Sequence, residues 1–101
     1  MQIIKELSKK IRDELDDAEA YAKCALNHQT DYPEVAKLYY TLSGQELEHM
    51  NMLHNAVAKI INDYRREHGE PPAAMQAVYD YLHEEYIERT VQIKNLQSLF
   101  K

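Results

Sequence analysis

Glu46 and His49 stand three residues apart within one apolar stripe, Tyr39, Leu42, Glu46, His49, Leu53, Ala56, Ile60. The stripe has helical spacing, and side chains three apart leave the same face of a helix. A second stripe, Ile4, Leu7, Ile11, Glu14, Ala18, Tyr21, Ala25, is interrupted by Glu14. A third, Met75, Tyr79, Leu82, Tyr86, Arg89, Ile93, Leu96, Phe100, is interrupted by Arg89 and flanked by His83 and Glu85. Carboxylate oxygens together with an imidazole nitrogen form a ligand set for iron, manganese or zinc. Unpaired carboxylates in an apolar setting cost several kcal/mol each, and a divalent cation offsets that cost. Glu14, Glu46 and His49 are therefore the candidate metal ligands, with His83 as a fourth.

The elements that must position these residues follow from the chain's punctuation. Turn-forming residues cluster in Asn27-His28-Gln29-Thr30-Asp31-Tyr32-Pro33 and in His68-Gly69-Glu70-Pro71-Pro72. They predict three helices over about 3–27, 34–67 and 73–100. Asp31, with Glu34 three residues on, has the form of a capping box, and Pro33 suits a first helical turn. Gly69 suits the position after a helix end, where the following prolines stop the helix. Across the first turn the helices run antiparallel. At 1.5 Å per residue, Glu14 lies ~21 Å back from it, and Glu46 and His49 lie ~20 and ~24 Å beyond it. All three arrive at one level, whereas His83 falls lower along the third helix. The middle helix, at about 50 Å, needs a partner for its far half: the third helix or a second copy of the chain.

Composition narrows the functional classes. The 101 residues allow one domain, 1–101, and only two glycines and three prolines favour an all-α fold over a sheet. The expected architecture is a three-helix antiparallel bundle completed by homodimerisation, since three amphipathic helices bury limited surface alone. A formal charge of −5 with no basic cluster argues against a nucleic-acid partner. The sequence has no apolar run of the ~20 residues that span a bilayer. The opening Met1-Gln2-Ile3-Ile4-Lys5-Glu6 lacks the apolar segment of a secretory signal. One cysteine, Cys24, permits no internal disulfide and makes the cytoplasm the default compartment.

Glu14 with Ala18-Glu19-Ala20-Tyr21-Ala22-Lys23, then Tyr32-Pro33-Glu34-Val35-Ala36, then Gln45-Glu46-Leu47-Glu48-His49-Met50, resembles the ferritin-like superfamily. The likeness covers about the first 65 residues and is closest in style to rubrerythrin-like proteins and short encapsulated ferritins. It implies a di-iron carboxylate site, oxidation of ferrous iron by oxygen or peroxide, and a role in iron handling. On this chain it implies Glu14 as the ligand from the first helix, with Glu19 as the alternative, and Glu46 and His49 as the Glu-x-x-His pair. A full bundle of that kind has four helices and a second such set. Here the third helix offers only Asp80-x-x-His83. In the short encapsulated ferritins two copies of the chain complete the site, which implies a homodimer or higher homo-oligomer here.

Competing readings stand beside these. Glu14, Glu46 and His49 could form a metal-free network, with His49 protonated between the carboxylates and Arg89 added, in a small helical scaffold. Arg89 could instead hold Glu85 on its own helix. His83 could bond a neighbour rather than a metal, and His54, His28 and His68 are expected to face water. Tyr39 or Tyr86 could bond a ligand carboxylate or carry an electron; core packing is the simpler role. Met50, Met52 and Met75 read as core or interface, and Cys24 as inert. Gly44 predicts a tight crossing or a local distortion beside Glu46.

Overall fold

The computed structural model describes residues 2–101. Three helices follow one another: α1 (Gln2–Asn27), α2 (Pro33–His68) and α3 (Ala73–Ser98). Their bounds fall within two residues of those expected from the punctuation. Pro33 opens α2 as its first helical residue, so the residue before it must be extended. That places Tyr32 at the cap with φ −138° and no side-chain cap bond. The capping box expected at Asp31 does not form. Its carboxylate instead accepts from His28 Nδ1 at 3.1 Å, closing the turn from within. At the other end Gly69 has φ 80°, a region open to glycine, and donates its N–H to Arg65 O at 2.9 Å.

Cross-helix contacts fix the directions. Ser43 of α2 donates to the Ala18 carbonyl of α1 at 2.7 Å, and Tyr21 stacks on Tyr39, as antiparallel neighbours must. Arg12 pairs with Glu85, and Asp16 with Arg89, each pair 73 residues apart, so α3 runs parallel to α1 in constant register. α3 is antiparallel to α2, with Arg65 meeting Gln76 near one end and Tyr40 stacked on Phe100 near the other. The resulting rod measures 56 × 17 × 17 Å.

Ile4, Ile11, Leu15 and Ala18 of α1 pack with Leu47, Met50, Val57 and Ile61 of α2 and with Ile93 of α3. Ala22, Ala25, Ala36 and Ser43 are buried as well, which lets α1 and α2 approach closely toward their shared turn. α3 is the weakly held member: only Leu82 and Ile93 are fully buried on it, while Val78, Tyr81, Ile87 and Val91 are exposed. Gly44 makes no tight crossing. A Cβ added there would meet nothing within 4 Å. No helix among the described residues is long and apolar enough to cross a membrane.

Candidate metal centre

α3 covers only one face of the α1–α2 pair. Its polar contacts go to Arg12, Asp16 and Glu19 of α1 and to Ser43, Asn51, His54 and Arg65 of α2. By helical rotation the stripe Leu42, Glu46, His49, Leu53, Ala56, Ile60 falls on the side of α2 away from these contacts, where Glu46 and His49 meet Glu14, which shares an α1 stripe with Leu7 and Tyr21. All are half-buried except His49, which is exposed. The expectation that Glu14, Glu46 and His49 sit inside a closed core is thus corrected. Met50 takes the centre of the interface, and His49, 100° around the helix, lands at the open edge.

The three residues do converge. His49 Nδ1 is 3.6 Å from Glu14 Oε2 and 3.7 Å from Glu46 Oε2. One ligand atom from each lies within 4.8 Å of the other two. The side chains of Glu46 and Glu14 are 18% and 25% exposed, and that of His49 is 55% exposed. Glu14 Oε2 is shielded from water and has no hydrogen-bond partner. An orphaned carboxylate oxygen beside a second carboxylate and an imidazole is what a cation of the iron, manganese or zinc type would satisfy, so the donor set fits such an ion. Ligands on one ion at about 2.0–2.2 Å bonds stand roughly 3–4 Å apart, and the two His49 separations of 3.6 and 3.7 Å fall in that range.

The fourth candidate, His83, is not part of this group. With α3 in register with α1, the level of Glu14 falls near Ile87, a full turn beyond His83. His83 Nδ1 instead lies 3.2 Å from His54 Nε2 on the covered face of α2. His54, expected in water, is half-buried and stacks on Tyr86 with ring centroids 4.4 Å apart. Arg89 does not reach the trio either: it binds Asp16 at 2.8 Å and Glu19 at 3.5 Å. Glu19, the alternative first-helix ligand, is thereby engaged by Arg89 and by Lys23. Glu85 is held by Arg12 at 3.5 Å rather than by Arg89. Tyr39 packs on Tyr21 and His28, and the Tyr86 hydroxyl donates to Asn51, so neither tyrosine serves the trio's carboxylates. His28 is half-buried against Asp31 and Tyr39, whereas His68 is exposed as expected. Sequence reasoning missed the His54–His83 pair and the Ser43 bridge. A register count along α2 and α3 would have brought the two histidines level.

Three helices and no strands among the described residues, with a Glu-x-x-His and a facing Glu at one height, define an all-α protein of the ferritin-like carboxylate-helix class. The chain matches the family model described as rubrerythrin over residues 5–98. It belongs to the rubrerythrin family. No curated protein and no solved structure matches it significantly.

Proposed function

We propose that this chain is a metal-binding member of its family, holding iron, or another divalent cation such as manganese or zinc, through Glu14, Glu46 and His49. The observation that carries the reading is the buried Glu14 Oε2, unpaired beside His49 and Glu46. Bound iron would supply one-electron chemistry between its ferrous and ferric states, the basis of a ferroxidase or iron-handling role. The chain's own part is to hold two anionic carboxylates close, which favours the higher metal charge. His49 offers Nδ1 toward the carboxylates and so must be neutral to bind.

The same reading includes a homodimer, or higher homo-oligomer, joined across the open α1–α2 face. Three protein ligands suffice for one ion, and a two-metal site needs a second set. A partner copy facing the half-buried stripe would bring one and cover Leu42, Leu53 and Ile60. A cytoplasmic location fits the single free Cys24.

Elemental analysis of protein purified without added metal tests this, alongside Glu46→Ala/His49→Ala. Retained metal in the wild type and its loss in the double variant are expected; equal trace content in both overturns the proposal. The competing metal-free network draws support from the 3.6 and 3.7 Å contacts, where an imidazolium would bridge both carboxylates. It predicts indifference to chelators and to added metal.

A further inference from the structure

On the covered side of α2, His54 and His83 form a second convergence of ligand atoms, unrelated to the carboxylate trio. His54 stands five residues from His49, about 140° around the helix. We propose that His54 Nε2 and His83 Nδ1 bind a borderline divalent cation of the zinc type, which clips α3 to α2.

The geometry suits this. The two nitrogens are 3.2 Å apart. Two imidazole nitrogens on one tetrahedral zinc, at bonds of about 2.0–2.1 Å, stand roughly 3.3 Å from each other. The rings are already positioned. His54 is stacked on Tyr86, and His83 lies nearly parallel to Tyr79 with centroids 6.0 Å apart. The Tyr86 hydroxyl is tied to Asn51, which holds its ring under His54. Little side-chain order remains to be imposed by the ion.

The chemistry is selective. A site with nitrogen donors prefers zinc, copper or nickel over magnesium, calcium or manganese, unlike the carboxylate-rich trio. Burial, and secondarily the neighbouring His83, hold the His54 pKa below its ordinary value, so this imidazole is available in the neutral form that a metal requires. Without metal, one N–H proton lies between the two nitrogens. Binding needs both lone pairs, so the donating ring moves that proton to its other nitrogen. From a neutral pair no net proton is released; each ring that starts protonated releases one. Water fills the remaining coordination positions on the solvent side of His83. The ion would strengthen a helix on which only Leu82 and Ile93 are fully buried.

The test removes the trio first. Glu46→Ala/His49→Ala protein is titrated calorimetrically with zinc chloride at neutral pH, and histidine side-chain resonances are followed by NMR. The expected result is one zinc per chain, shifts of the His54 and His83 resonances together, and a raised melting temperature. Adding His83→Ala, an exposed position, should keep the helical circular dichroism and weaken zinc binding at least about tenfold. Zinc uptake indifferent to His83→Ala, or no uptake in the trio-free protein, overturns the proposal and leaves the reading of Glu14, Glu46 and His49 untouched.

Discussion

Glu14 and His49 face each other across the α1–α2 seam, with 3.6 Å between Oε2 and Nδ1, and that oxygen is closed to water without a hydrogen bond. An arrangement costly in the empty protein becomes favourable when a cation enters, so binding and stability should oppose each other at this position. Glu14→Gln removes the charge and keeps the shape. We expect metal affinity to fall at least about tenfold, while metal-free stability holds or rises by about 1 kcal/mol. Metal titration and urea unfolding in chelator measure the two. A variant with unchanged affinity would show that Glu14 is not a ligand.

Manganese separates the two proposed sites, because a pair of imidazoles binds it poorly and a carboxylate cluster binds it better. A ligand present at 100 times its dissociation constant stabilises the native state by about 2.7 kcal/mol. Wild-type protein should therefore melt higher in saturating manganese and return to its metal-free midpoint in chelator. Glu46→Ala/His49→Ala should not respond. Calorimetric scans decide, and a wild type indifferent to manganese counts against the trio as a site.

Helix number, helix bounds and the convergence of Glu14, Glu46 and His49 were legible in the sequence because they depend on local punctuation and on a rise per residue that does not vary. The depth of the trio was not. Stripe membership does not say which face a third helix will cover, and α3, with apolar residues around much of its circumference, gives little guidance. Arg89 shows the same limit. It lies on the α3 stripe, yet its long side chain reaches Asp16 and Glu19 at the edge of α1. The His54–His83 pair was hidden by a different cause, since it requires the inter-helix register of α2 and α3 rather than the pattern of either helix.

The open face carries its own prediction. Ala56 lies on the stripe beyond His49 and is half-buried, so a long cation there would obstruct a partner copy while its stem could lie along the surface of the isolated chain. Ala56→Arg should convert a dimer into a monomer by light scattering, with helical circular dichroism preserved. Metal content should fall with it if the partner helps complete the site. An unchanged solution mass would place any self-association on another surface.

Ser43 joins all three helices: its hydroxyl donates to the Ala18 carbonyl at 2.7 Å and accepts from Gln97 Nε2 at 2.8 Å, in a fully buried position. Valine would be bulkier than the hydroxyl it replaces and would leave the Gln97 donor short of its partner. We expect Ser43→Val to cost about 1–3 kcal/mol. For a chain of this size each kcal/mol corresponds to about 4–8 °C in melting temperature. A shift of less than a few degrees would mean that the bridge contributes little beyond orientation.

Gly44, the next residue, should respond in the opposite direction. It lies inside α2, where glycine is less favourable than alanine by about 0.8–1.0 kcal/mol through its larger loss of backbone freedom. A Cβ there meets nothing within 4 Å, so no steric penalty offsets the gain. Gly44→Ala should therefore stabilise the chain by about 0.5–1 kcal/mol in chelator, read from the midpoint of urea unfolding at unchanged slope. It should leave metal affinity at Glu46 and His49 unaltered, because nothing at Gly44 touches either residue. Destabilisation by this substitution would reveal that the missing side chain makes room for a neighbour, and the surface to search would be that of a second copy of the chain.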